Sequence, residues 1–190
     1  MRNPRHNPER GSSLIVVIIV MAFMLAVGVA ILAVTGIAPK VSGSVRDQEE
    51  AFNSAEAGFD AARLLIEHSL LDGTWANLQD NCCRTPAGID LPLDANYYRR
   101  QSDAALSETL TLGTTGVLYK DQPFLKTVDG HDDTTRTYTV FIIDDEAGGG
   151  VVDPTDVMLV CIGVVRSGSR ILATSRLEVL LGLETVGGNP

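Results

Sequence analysis

The strongest constraint on this chain is the stretch from Ser12 to Ala38, which contains no charged residue. Within it, Leu14 to Val34 is almost wholly Leu, Ile, Val, Met, Ala and Phe. A helix of about 20 such residues crosses the hydrocarbon core of a bilayer. The run also exceeds the apolar region of a secretory signal peptide, which is about 7–15 residues long. A small-residue pattern near Ala38 is followed directly by Pro39, a poor context for signal peptidase. The reading is a retained single-pass helix. Arg2, Arg5 and Arg10 precede it, opposed only by Glu9. That basic flank keeps the N-terminus cytoplasmic and sends the residues after Lys40 into the periplasm.

Charge narrows the partners. Beyond Gly11 the chain holds 12 basic and 23 acidic residues out of totals of 15 and 24. An acidic body argues against nucleic acid, because phosphate-backbone binding needs clustered Lys and Arg. No Gly-x-Ser-x-Gly elbow, phosphate loop or HExxH helix is present, and His6, His68 and His131 are scattered. The sequence demands no catalytic residues and no cofactor. Asp129-Gly130-His131-Asp132-Asp133 and Asp144-Asp145-Glu146 offer oxygen atoms but lack the spacing of an EF-hand loop, so no metal ligands are assigned. They read as solvated acidic loops.

Two motifs carry a family resemblance. Residues 10–17, Arg-Gly-Ser-Ser-Leu-Ile-Val-Val, join a short charged leader to apolar sequence through a glycine. This resembles the prepilin peptidase site of type IV pilins and type II secretion pseudopilins. Glu49-Glu50-Ala51-Phe52-Asn53-Ser54-Ala55-Glu56-Ala57-Gly58 is similar to a segment of PilX-type minor pilins. The resemblance implies cleavage between Gly11 and Ser12 and N-methylation of Ser12. It implies inner-membrane anchoring, with prepilin peptidase, other pilin subunits and the pilus assembly machinery as partners. Major pilins have a glutamate at the fifth mature position, which here is Val16. The departure points to a minor, non-enzymatic subunit acting in pilus initiation or at the tip. The alternatives are a GspK-like pseudopilin of a type II secretion system and a signal-anchored periplasmic enzyme or ligand-binding domain. A GspK-like subunit usually carries a larger inserted domain than this chain has room for.

The remaining chain reads as α+β: a long N-terminal helix, first transmembrane and then amphipathic, packed on a C-terminal antiparallel sheet in the pilin-like manner. The expected divisions are a leader over 1–11, a transmembrane helix over 12–38, a periplasmic helix over 39–70 and a globular domain over 71–190. Pro39, with Gly36 and Gly43 nearby, should interrupt the helix with a kink. Phe52, Ala55, Phe59, Ala62 and Ile66 recur at helical spacing and should form its docking stripe. Leu71-Asp72-Gly73 marks the stop, and residues 72–105 read as irregular with short helices. Strands are expected over Leu110–Tyr119, Arg136–Ile143, Asp156–Arg166 and Arg170–Leu181, the last two forming a hairpin around Ser167-Gly168-Ser169.

Three cysteines are too few for a disulfide scaffold. Three arrangements are open: Cys82 and Cys83 both reduced, a vicinal bridge between them, or one of them paired with Cys161. The long-range bridge is preferred, because Cys161 falls in a strand and the adjacent pair in a loop. Which of the two would pair stays open.

Overall fold

The computed structural model describes residues 12–78, 88–113, 116–143 and 156–182, without the side chains of Ser12 and residues 33–40. The chain divides into two compact units, residues 1–43 and 44–190. Helix α1, Ser12–Leu71, contributes to both. Its backbone stays helical through Pro39, where the sequence pointed to an interruption. One missing N–H leaves the flanking i to i−4 bonds in place. The helix ends as expected: the Asp72 amide reaches the His68 carbonyl at 2.9 Å, and Gly73 takes a positive φ of 76°.

The unit 44–190 is built on a four-stranded antiparallel sheet in the order β1-β2-β3-β4, with β1 Val117–Pro123, β2 Arg136–Ile143, β3 Asp156–Ser167 and β4 Arg170–Gly182. Strands β2, β3 and β4 match the expected segments to within a residue. Alternation along β3 sends Val157, Leu159 and Cys161 to one face and Val160, Ile162 and Val164 to the other. Both faces are covered, which is why β3 is apolar almost throughout. The first face meets α1 through Ala55, Ala62 and Ile66, with Trp75 and Leu78 closing its end. The second is covered by residues 88–113, through Ile89, Tyr98, Leu106 and Leu110.

Two expectations are corrected. The first strand does not begin at Leu110. That residue caps helix α2, Asp103–Thr109, giving its amide to the Leu106 carbonyl at 3.0 Å, and its side chain is buried. Gly113 and Gly116, at φ 88° and 89°, then turn the chain, and β1 starts at Val117. The apolar pattern marked burial at a helix end rather than a strand.

The docking stripe also differs from the expected one. Ala55, Ala62 and Ile66 are buried and Phe59 is half-buried, but Phe52 is 43% exposed. The buried positions besides the expected ones are Ala51, Ser54, Gly58 and Ser69. Small residues win because helix and sheet approach too closely for large ones. A Cβ placed on Gly163 of β3 would lie 1.9 Å from the Ala51 carbonyl oxygen and 2.6 Å from the Ala55 amide nitrogen. On the helix side, a Cβ on Gly58 would come within 2.9 Å of the Tyr138 ring. Bulky Phe52 is pushed to the flank.

Gly163→Ala should therefore force the helix off the sheet, at a cost of about 3 kcal/mol. Gly182→Ala, with nothing within 4 Å of the added carbon, should change stability by less than about 0.5 kcal/mol. Thermal melts of the two full-length variants followed by circular dichroism check the contrast.

Candidate functional site: the two faces of the N-terminal helix

Over Ser13–Leu32, within the unit 1–43, α1 is apolar on every face. From Ser13 to Leu32 it is 20 residues long with a mean hydropathy of 3.2, and none of it is buried within the chain. It is long and apolar enough to cross a membrane once. Its first turn carries no acidic residue, and Val16 is exposed. Ser12 opens the helix, whereas Gly11, the other residue of the expected cleavage junction, lies outside the described residues.

In the unit 44–190 the same helix has a bound side and an open side. The bound side is fixed by charge as well as packing. Glu50 accepts from Arg136 Nε of β2 at 2.6 Å through one carboxylate oxygen and from Arg46 Nε at 3.0 Å through the other. Arg136 also reaches Asp133 at 2.7 Å. The Arg136 hydrogen bond outweighs partial desolvation and holds the Glu50 carboxyl below its ordinary range. Hydrogen bonds from Thr135, with Arg136 behind them, do the same to Asp133. The open side presents Val45, Phe52, Leu64 and Leu71 to solvent. Between it and β4 runs a groove of about 500 Å³ lined by Val45, Gln48, Glu49, Phe52, Asn53 and Ser175.

The far face of the sheet has its own polar clamp. Glu178 accepts from Arg99 at 2.7 Å and from the Tyr98 hydroxyl at 3.3 Å. Arg176 spans Asp103 at 2.6 Å and the carbonyls of Tyr98 and Gln101. These bonds pin the segment 98–103 to β4, and burial pushes the Tyr98 hydroxyl well above its ordinary pKa.

The remaining sequence candidates do not converge. Cys161 carries a free thiol, buried among Ala55, Ala62 and Leu159 and pushed up to about 12 by desolvation. It behaves there as a small hydrophobe. Cys82 and Cys83, the other residues of the expected long-range bridge, lie outside the described residues. In the loop before β2, Asp133 is committed to Thr135 and Arg136, and the His131 carbonyl closes a turn with Thr127. Asp144-Asp145-Glu146 falls outside the described residues. Among the described residues no group of three or more His, Cys, Asp or Glu is gathered as metal ligands would be. Sequence reasoning missed Glu50 and Gly163 as organising residues. The signal for Gly163 was an isolated glycine inside an otherwise apolar strand, which marks close backbone approach.

Comparison with protein-family models matches residues 10–60 to the family described as PilX N-terminal. The match takes in the apolar span and the first part of the docked helix and leaves the sheet outside it. No curated protein and no solved structure gives a match.

Because the Glu50 and Asp133 carboxyls sit below their ordinary pKa values, their stabilisation is complete above the unfolded values and is lost as pH falls through the folded ones. The wild-type chain should lose thermal stability between about pH 5 and pH 3. Glu50→Gln should be less stable near neutrality, by on the order of 1 kcal/mol, and should show a shallower acid loss. Melting temperature against pH for both chains, measured in the same detergent, is the check.

Proposed function

We propose, on the premise that residues 10–60 make this chain a PilX-type minor pilin, that it takes part in type IV pilus assembly as an initiating or tip subunit. The family is structural rather than catalytic, so the work expected of the chain is assembly. The observation that carries the reading is the apolar helix Ser13–Leu32, fully exposed within its own chain and inside the matched segment. Such a helix is stable only in lipid or among other helices. A subunit that moves from bilayer to filament exchanges one of these environments for the other.

In this reading the basic leader stays cytoplasmic, prepilin peptidase cuts between Gly11 and Ser12, and the new amine at Ser12 is methylated. Residues after Lys40 face the periplasm. A glycine before the cut suits a protease that must approach the backbone closely. Val16 then sets the subunit's place. A carboxylate at that position is costly to bury unless it is paired, and a pairing glutamate would help choose register as subunits add. With valine there, the chain has no carboxylate to offer a neighbour's amine, which suits a position where no such pairing is required.

Intact mass spectrometry of the protein from membranes should give an N-methylated chain beginning at Ser12. Gly11→Val should leave Met1 in place. Retention of Met1 in the wild type, or a terminus near Pro39, overturns the processing scheme. Sheared pili should contain this chain far below the major subunit, and its deletion should lower pilus number. Equal abundance would refute the tip placement.

A further inference from the structure

The two edges of the sheet are unlike. β1 is irregular: its register with β2 shifts twice, Asp121 adopts a φ of 46°, and the strand ends in Pro123. Bulges and proline are the usual means of making an edge unfit to pair. β4 has none of these from Ala173 to Gly182, where it runs in unbroken register along β3.

Backbone parity shows what that edge offers. The Arg166 amide bonds the Thr135 carbonyl at 2.7 Å, so even-numbered residues of β3 point to β2 and odd-numbered ones to β4. Their partners on β4 are Ala173, Ser175, Leu177, Val179 and Leu181. The N–H and C=O groups of Thr174, Arg176, Glu178 and Leu180 therefore point away from the sheet. Among the described residues, the bond made to this row comes from Gln48 Nε2 to the Thr174 carbonyl, at 2.9 Å. A carbonyl has a second lone pair, so that bond does not close the site.

We propose that β4 pairs antiparallel with β4 of a second copy of this chain, about a two-fold axis at Leu177. Arg176 and Glu178 stand on the same face, their charged ends 3.7 Å apart, each also keeping its partner within the chain, Asp103 and Arg99. Centring the axis on Leu177 places each Arg176 opposite the copy's Glu178, twice over. Moving the axis one residue to either side opposes Arg176 to Arg176 or Glu178 to Glu178, and like charges directly opposite are destabilising. The same register sets Val179 of the copy opposite Ser175, at the wall of the groove beside Phe52. A two-fold interface needs a self-complementary surface, and the alternation of charge along β4 makes one.

Site-directed cross-linking of the full chain in detergent tests this, in a Cys82→Ser, Cys83→Ser background that leaves buried Cys161 in place. Residues at a non-hydrogen-bonded antiparallel pair have Cα atoms about 4.5 Å apart, within the disulfide range of about 4.4–6.8 Å. Leu177→Cys should give an oxidised dimer. Ser175→Cys and Val179→Cys should each stay monomeric alone and cross-link when mixed. Leu180→Pro removes an N–H that faces away from β3, so the fold should survive while dimer yield at position 177 falls about ten-fold or more. No cross-link at 177 together with none from the 175 and 179 mixture overturns the proposal. So does cross-linking of Ser175→Cys or Val179→Cys to itself, which requires another register. Cross-links formed only to a different protein would assign the edge to a heterologous strand and overturn pairing with a second copy.

Discussion

The contact between the Ala51–Ala55 turn of α1 and Gly163 of β3 sets the geometry of everything in the unit 44–190. With no side chain at 163, the helix backbone comes within atomic contact of the strand. That closeness dictates alanine, serine and glycine along the buried side of α1 and leaves the larger Phe52 on the flank. It also brings Glu50, one residue before Ala51, within reach of Arg136 on β2. Steric fit and ion pairing thus fix the same turn of helix. A change at either is felt at the other, since both depend on one helix–sheet distance.

The consequence for function is a division of labour along a single helix. Its first part buries nothing within its own chain, and its second part is committed to the sheet on one side while Val45, Phe52 and Leu64 remain open on the other. The opposite face of the sheet is sealed by the Tyr98–Arg99–Glu178 and Arg176–Asp103 bonds. The open side of α1 and the β4 edge adjoin at the groove lined by Val45, Phe52 and Ser175.

Much of this was legible in the sequence where the physical signal was local. The charge-free run announced the long apolar helix Ser13–Leu32, and β-branched density around a short glycine link announced the β3–β4 hairpin, whose Gly168 takes a φ of 61°. Leu110 misled because burial at a helix C-cap and burial in a strand look alike over a few residues. Phe52 misled because periodicity identifies a face without saying how near the partner lies, and that distance is set by a glycine far along the chain. The Glu50–Arg136 pair joins residues 86 positions apart, a separation no window-based pattern reaches. The expected processing junction at Gly11 and Ser12 was read from a motif, and cleavage there would be the work of another protein rather than of the fold.

The small-residue seam also bears on how the chain survives its own synthesis. Residues 51–69 are made long before β3, the strand they are to cover, so α1 must wait uncovered while about a hundred further residues follow. Contacts of such high sequence separation form slowly and leave partly built surfaces exposed. Apart from Ile66 and the half-buried Phe59, the waiting face of Ala51, Ser54, Ala55, Gly58 and Ala62 offers little oil to a chaperone or a stray neighbour. The greasier half of the joint, Val157, Leu159 and Cys161, is made last and meets a helix already in place. The close approach that only glycine permits therefore puts most of the stickiness of this interface on the side that spends the least time bare.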